Sequence, residues 1–358
     1  MKLNELRLKG FRNLAETVYT PGEGVNVIYG ENAQGKTNLL EAVWLFSGMR
    51  SFRGAKDQEL IAFGVPFAKL KASFTNETRE NKAELTLADK KTVLLNGVKL
   101  GGAAGLLGKF SAVVFAPSFL SIVKSGPEER RRFLDASVCQ LRPAFAGAVT
   151  EFSRLIKQRN ALLKDVAFES SLYDMLDVLD ERLGAVGDNI VEERNNYLTR
   201  LIPRVDEIYT GLSGGREKIR LTYVGKTREA GGFGALLKKN RREDLLAKTT
   251  TVGPHRDDLE SLIGGVSARA FGSQGQQRSA ALALKFGESA VLLAETGEMP
   301  VILLDDVMSE LDARRQDFIL NHIRDRQVFI TCCDPETVGR LTGGTKTRIE
   351  KGRVIPCT

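Results

Sequence analysis

The strongest constraint on this chain is a pairing of two segments that lie far apart in it. Gly30-Glu31-Asn32-Ala33-Gln34-Gly35-Lys36-Thr37 has the spacing of a phosphate-binding loop, and Val301-Ile302-Leu303-Leu304-Asp305-Asp306 is an aliphatic run ending in two carboxylates. Before the loop, Val25, Val27 and Ile28 read as a short buried strand; after it, Asn38 to Leu45 read as a helix. Glycines let backbone N–H groups crowd a phosphate, and the helix N-terminus adds the positive end of its dipole. In that arrangement Lys36 reaches the β- and γ-phosphates, and the Thr37 hydroxyl holds Mg²⁺. The aliphatic run is too short for a helix and does not alternate, as expected of a parallel strand buried on both faces. An acid at such a strand end completes the shell of a nucleotide-bound Mg²⁺. Asp305 is the better candidate for the metal and Asp306 for orienting the attacking water. Taken singly, each segment also has a plain reading: a glycine turn before an ordinary helix, and a strand end meeting solvent.

A third segment precedes the acidic run. Leu282, Phe286, Ala290 and Leu293 share one face at helical spacing, so Gln276 onward reads as an amphipathic helix. Ser273-Gln274-Gly275-Gln276-Gln277 then lies at its N-terminal end, where Ser273 and Gly275 can receive an anion. The alternative is a serine that only caps its own helix.

The order of these motifs resembles the ATP-binding-cassette heads of chromosome and repair ATPases, and more closely the RecF family of bacterial recombination mediators. The resemblance covers nearly the whole chain: Leu8 to Asn13, Gly30 to Thr37, Ser51-Phe52-Arg53, Gly126 to Asp135, Lys157 to Leu163, Gly253-Pro254-His255-Arg256-Asp257-Asp258, the Ser273 signature, and Asp305 to Asp312. It implies a site shared by two copies. One chain supplies Gly30, Asn32, Gly35, Lys36, Thr37 and Asn38 to ATP, with Thr37 and Asp305 on Mg²⁺ and Lys36 and Asp306 in catalysis. The other chain's Ser273, with Gly275 and Gln276, caps the γ-phosphate, and Ser309-Glu310-Leu311-Asp312 lies along the interface. Arg12, by the same resemblance, lies near the nucleotide.

Two departures from transport cassettes stand out. No switch histidine follows Val328-Phe329-Ile330, where Thr331-Cys332-Cys333-Asp334 stands instead, and Gln274 and Asp306 replace the usual glycine and glutamate. The shorter acid places water less well, which predicts slow turnover.

Net charge is +7 and the pI near 9.2, a balance that favours a polyanionic partner. Basic residues cluster at Arg130-Arg131-Arg132, Arg50 to Lys56, and Lys238-Lys239-Asn240-Arg241-Arg242, each of which is also readable as a solvated face. Pro127-Glu128-Glu129 marks a helix start. Met1 to Asn13 is charged rather than apolar, and no apolar stretch approaches the about 20 residues needed to span a bilayer, so a cytoplasmic protein is expected. The four cysteines, Cys139, Cys332, Cys333 and Cys357, have no metal spacing, and the only histidines are His255 and His322.

Strand-like runs (Ala83 to Leu87, Thr92 to Leu95, Ala112 to Phe115) surround the phosphate loop. Helical periodicity follows in Phe152 to Leu163, and Leu172 to Leu183 and Ile190 to Leu201 suggest further helices. The expected fold is α/β: an ABC-type P-loop ATPase head built from both chain ends (1–122 and 250–358) with an inserted, mainly helical second domain (123–249). The insertion is too short for long antiparallel coiled coils and lacks a Cys-X-X-Cys hook. The leading expectation for function is an ATP-dependent homodimer that clamps double-stranded DNA near gap junctions. Its ATPase is weak and DNA-stimulated, and the resemblance implies RecR, RecO and RecA as pathway partners. A transport cassette serving a membrane partner, or a nucleotide-binding scaffold with negligible hydrolysis, are the competing readings.

Overall fold

The computed structural model describes residues 1–77, 79–165, 172–227, 231–333 and 344–356. Asp334 and Cys357 lie outside the described residues. The chain divides into two compact units, Met1–Phe119 with Leu282–Thr358, and Leu120–Ala281.

The first unit holds two sheets. In one, the strand order is Arg353–Pro356, Thr345–Glu350, Val25–Tyr29, Val328–Cys332, Val301–Asp305, Ala112–Phe115, parallel throughout except for the terminal hairpin. Every residue of Val301–Asp305 and Val328–Cys332 is buried, which is why neither strand alternates apolar and polar residues. The other sheet is antiparallel, in the order Thr17–Tyr19, Lys2–Lys9, Ala68–Thr75, Glu80–Leu87, Thr92–Leu95, Val98–Lys99. Its strands alternate, so Leu70, Ala72 and Phe74 face the core while Lys69 and Lys71 face outward and pair with Glu84. The helix Lys36–Trp44 contributes Leu39, Leu40, Ala42 and Val43 to the same core.

The second unit is built on the helices Pro127–Leu141, Pro143–Asp165, Leu172–Ser213 and Phe233–Ala247. The first starts as expected, with Pro127 in its first turn followed by Glu128 and Glu129. Leu172–Ser213 is one helix of 42 residues rather than two, and it carries Pro203 within it. Gly184 and Gly187 are not breaks in it. A Cβ on Gly184 would stand 2.9 Å from Gly234 Cα, and one on Gly187 2.3 Å from the Phe233 ring, so both glycines admit the crossing helix. Residues 250–281, which the motif order assigns to the head, pack with this second unit. The physical reason is strand pairing: Asp258–Ile263 runs antiparallel to Ile219–Val224, from Asp258 opposite Val224 to Ile263 opposite Ile219.

Candidate nucleotide site

In the parallel sheet, Val328–Cys332 lies between the strand that feeds the phosphate loop and the strand that ends in Asp305. Thr331 is opposite both Ile28 and Asp305 in register, so the ends of all three strands meet at one edge. Ligands of open α/β sheets bind at such carboxyl ends.

The loop after Val25–Tyr29 is shaped by glycine. Gly30 has φ 150°, and a Cβ there would stand 2.3 Å from the carbonyl oxygen of Ile349; Gly35 has φ 115°, and its Cβ would meet Leu14 at 2.7 Å. Only glycine fits either position without displacement. Lys36 is buried and reaches back over the loop, donating to the carbonyls of Gly30 at 2.6 Å and Glu31 at 2.7 Å. Its Nζ also lies 3.7 Å from Cys333 Sγ, and the thiol donates to Asn32 Oδ1 at 3.0 Å.

Thr37 and Asp305 come together as expected, the hydroxyl donating to Oδ1 at 2.8 Å. Asp305 is buried, and desolvation raises its pKa above the ordinary carboxylate value against the lowering effect of its bonds from Thr37 and Thr331. A hydroxyl beside a buried carboxylate is a hard-oxygen pair that fits Mg²⁺. Among the described residues no group of three or more His, Cys, Asp or Glu could hold a metal unaided. Asp306 follows directly, half-buried, in a left-handed conformation with φ 52°. Its carbonyl and Oδ1 accept from the Ser309 hydroxyl at 2.8 and 3.1 Å.

Arg12 and Asn13 show how the turn after the N-terminal strand supports this loop. The Arg12 guanidinium grips the fully buried Glu41 with Nε and Nη2 at 3.0 and 3.1 Å, and donates to the Glu59 carbonyl at 3.1 Å. Ser51 also donates to Glu41, and Arg53 bonds Asn38 Oδ1 at 2.8 Å. Asn13 bridges the Ala33 carbonyl (3.0 Å) and Asn38 (2.7 Å), tying the loop to its helix. Asn13, Glu41 and Thr331 carry roles that the motifs alone do not reveal. Asn13 and Glu41 sit in recognisable segments, but nothing in their spacing shows a partner.

Ser273 and its neighbours belong to the second unit. Ser273 is exposed at the start of the helix Gln274–Thr296, its Oγ accepting from Gln276 N–H at 3.2 Å and its own N–H donating to Gln276 Oε1 at 2.7 Å. The serine therefore does cap its own helix. Gly275 occupies the first turn.

The basic clusters separate. Arg130 is buried in a two-pronged pair with Asp258 at 2.6 and 2.9 Å, Arg131 donates to the Asp257 carbonyl at 2.7 Å, and Arg132 pairs with Glu128 and Glu129. The triplet is thus largely structural rather than a free basic patch. Lys238, Lys239 and Arg242 are exposed, while Arg241 is held by Asp177 and Asp180. No described helix is long and apolar enough to cross a membrane.

A phosphate loop and an acidic strand end on neighbouring parts of one parallel sheet, with a serine-capped helix between them in the chain, define an ATPase head of the ABC and SMC type. The chain matches the RecF/RecN/SMC N-terminal domain model over residues 2–353. It is 39% identical to the DNA replication and repair protein RecF of Agathobacter rectalis over 93% of this chain and 92% of that protein. A solved structure described as the recombination mediator protein RecF-ATP in the RecFOR pathway superposes with a TM-score of 0.92 at 37% identity, covering 100% of this chain and 98% of the other. An Smc head from Pyrococcus furiosus, at 18% identity and a TM-score of 0.57 with 99% and 96% covered, shares the fold. The chain belongs to the RecF family of DNA replication and repair proteins.

Proposed function

We propose that this protein is an ATP-gated DNA clamp that acts in recombinational gap repair. ATP binds between two copies. Gly30, Asn32, Gly35, Lys36, Thr37 and Asn38 of one chain take the phosphates, and Ser273 of the other closes on the γ-phosphate. Arg12 lies near the bound nucleotide, held by its pair with Glu41 of the helix that follows the loop. Thr37 and Asp305 would hold Mg²⁺, which would supply charge neutralisation at the transferring phosphoryl group. Asp306 orients the attacking water, Lys36 offsets the developing charge, and hydrolysis reopens the clamp. The joined heads hold double-stranded DNA next to a single-strand gap and assist RecR and RecO in loading RecA, within the cytoplasm. Turnover is weak and stimulated by DNA.

The observation that carries this reading is the hydrogen bond between Thr37 and Asp305, 2.8 Å long and joining residues 268 positions apart in the chain. It brings a residue of the phosphate loop to the acidic strand end, which supports reading the two motifs as one site. The solved relative described as RecF-ATP supports the choice of nucleotide. The test is sedimentation with and without ATP, Mg²⁺ and a gapped duplex. ATP should convert monomer to dimer and tighten DNA binding, and a sedimentation profile and DNA affinity indifferent to ATP would reject the clamp.

A further inference from the structure

The cap on the Gln274–Thr296 helix depends on which way one carboxamide points. Ser273 Oγ accepts the Gln276 N–H, and Ser273 N–H donates to Gln276 Oε1, the reciprocal arrangement of a Ser-x-x-Gln capping box. A serine hydroxyl that accepts one bond keeps its own proton to give. Accepting from Gln276 therefore fixes the Ser273 oxygen while leaving its O–H as a donor on an exposed helix end. The arrangement fails if the Gln276 carboxamide turns over, because its NH₂ would then face the Ser273 N–H.

Glu217 prevents that turn. Gln276 Nε2 donates to Glu217 Oε1 at 2.7 Å, and an ionised carboxylate only accepts, so it selects the NH₂ end and leaves the oxygen toward Ser273. Glu217 is itself held from the far side. Tyr209 donates to its Oε2 at 3.0 Å, and the Ser213 hydroxyl bonds its backbone carbonyl at 3.3 Å. A fixed series of donors and acceptors thus runs from the C-terminal turns of the long helix, Tyr209 to Glu217 to Gln276 to Ser273, with all members in one compact unit. Glu217 lies between Arg216 and Lys218 in a stretch with no motif, so the sequence does not single it out.

We infer that Glu217 is a positioning residue for the shared site: it orients Gln276 so that Ser273 is presented ready-aimed to the γ-phosphate on a second copy of the chain. The role rests on the two-copy reading given above. The negative charge opposes an incoming phosphate, so its expected benefit comes from geometry. A neutral residue that can still accept should serve as well.

The experiment is ATP-driven dimerisation of the full chain, followed by sedimentation across a protein titration. Binding of a fluorescent ATP analogue is measured alongside, at protein concentrations where wild type is monomeric. Glu217→Ala and Glu217→Met, the latter keeping side-chain length without an acceptor, should need about tenfold or more protein to dimerise. Their monomer nucleotide affinity should be unchanged. Glu217→Gln should dimerise within about threefold of wild type, since its amide oxygen accepts from Gln276. Tyr209→Phe removes the hydroxyl bond to Glu217 Oε2 while leaving Glu217 Oε1 for Gln276, and should do the same, which separates positioning from local unfolding. A wild type that dimerises with ATP, together with Ala and Met variants that dimerise equally well or better, overturns the positioning role alone. A wild type that stays monomeric with ATP overturns the two-copy reading, and this role with it.

Discussion

The Thr331 hydroxyl accepts the backbone N–H of Asp306 at 2.9 Å, and at the same distance it donates to Asp305 Oδ1. One buried side chain therefore grips both acidic residues. Asp306 sits at φ 52°, a conformation that non-glycine residues adopt at a cost of about 1–3 kcal/mol unless the surroundings hold them there. The bond to Thr331 supplies that restraint. Thr331 can reach because the parallel register sets it directly opposite Asp305.

Thr331→Val keeps the branched shape and removes the hydroxyl. Single-turnover ATP hydrolysis should fall about 10- to 100-fold, the usual loss when a group that orients a metal ligand is removed. ATP-analogue binding at sub-dimer concentrations should hold. Thr331→Ser should restore the rate, and a Val variant with wild-type turnover would show that the acids need no such clamp.

Asp306→Asn tests hydrolysis separately from folding. Asparagine tolerates the left-handed region as well as aspartate does, and its Oδ1 can still accept from Ser309. The variant should bind ATP and dimerise but remain dimeric after wild type has returned to monomer. Sedimentation at successive times after ATP addition reads this directly, and a variant that reverts with wild type would remove Asp306 from the chemistry.

Local pattern carries some of this architecture to the surface and hides the rest. Val301 to Leu304, an aliphatic run with no alternation, fits a doubly covered strand, and Pro127-Glu128-Glu129 is readable as a helix start because both signals are local. Gly184 and Gly187 are different. They resemble breakers until the crossing helix is placed against them, because close approach is a tertiary fact. Arg130 and Asp258 look like surface charges in two separate clusters, and only the fold shows them as one buried pair. Likewise Thr331 in sequence marks a missing histidine, and its grip on two carboxylates exists only once strand order and register are known.

The division among the basic clusters predicts two distinct phenotypes. Replacing Lys238, Lys239 and Arg242 with alanine should weaken duplex DNA binding and flatten its dependence on salt, by a slope of about 0.9 for each phosphate that is no longer neutralised. Arg130→Ala should instead lower stability, because it strands Asp258 beside a buried helix face. Titrations of DNA binding at several salt concentrations, with thermal melts of the same proteins, distinguish the two. Equal salt slopes for the triple variant and wild type would place the DNA elsewhere.

Arg159 is fully buried and satisfies two carboxylates, bonding Asp180 at 2.5 Å and Asp244 at 2.6 Å, with Thr250 Oγ1 at 3.0 Å. Asp180 also receives Arg241, whereas Asp244 has Thr251 as its further donor, through the N–H and the hydroxyl. Arg159→Met fills the space and leaves the buried Asp244 with only the neutral Thr251 donors, while Asp180 keeps Arg241. Urea denaturation should show a loss of about 3–5 kcal/mol, and a loss below about 1 kcal/mol would mean the acids find water or protons instead.

The Gly253 to Asp258 segment carries a pH dependence of its own. Gly253 has φ 117°, and a Cβ there would strike the Phe233 ring, so the turn wraps that ring and brings His255 under Phe152 at a ring separation of 5.8 Å. His255 Nε2 faces the Thr250 carbonyl at 3.2 Å, while Nδ1 is buried without a partner among the described residues. Desolvation pulls the imidazole pKa from 6.5 down to about 4, opposed by the Thr250 carbonyl and assisted by Arg256 and Arg131, with Asp244 acting the other way. A histidine with a depressed folded pKa contributes stability that is fully present above pH 6.5 and is lost as pH falls through about 4, because the unfolded chain takes up the proton first. The gap corresponds to at most about 3 kcal/mol. His255→Gln keeps a donor for the Thr250 carbonyl and does not titrate. Its stability relative to wild type should therefore rise steadily from pH 7 to about pH 4 in urea melts, while the carboxylate contributions common to both proteins cancel. A constant difference across that range would mean His255 is protonated in the folded chain, with its Nδ1 reaching water.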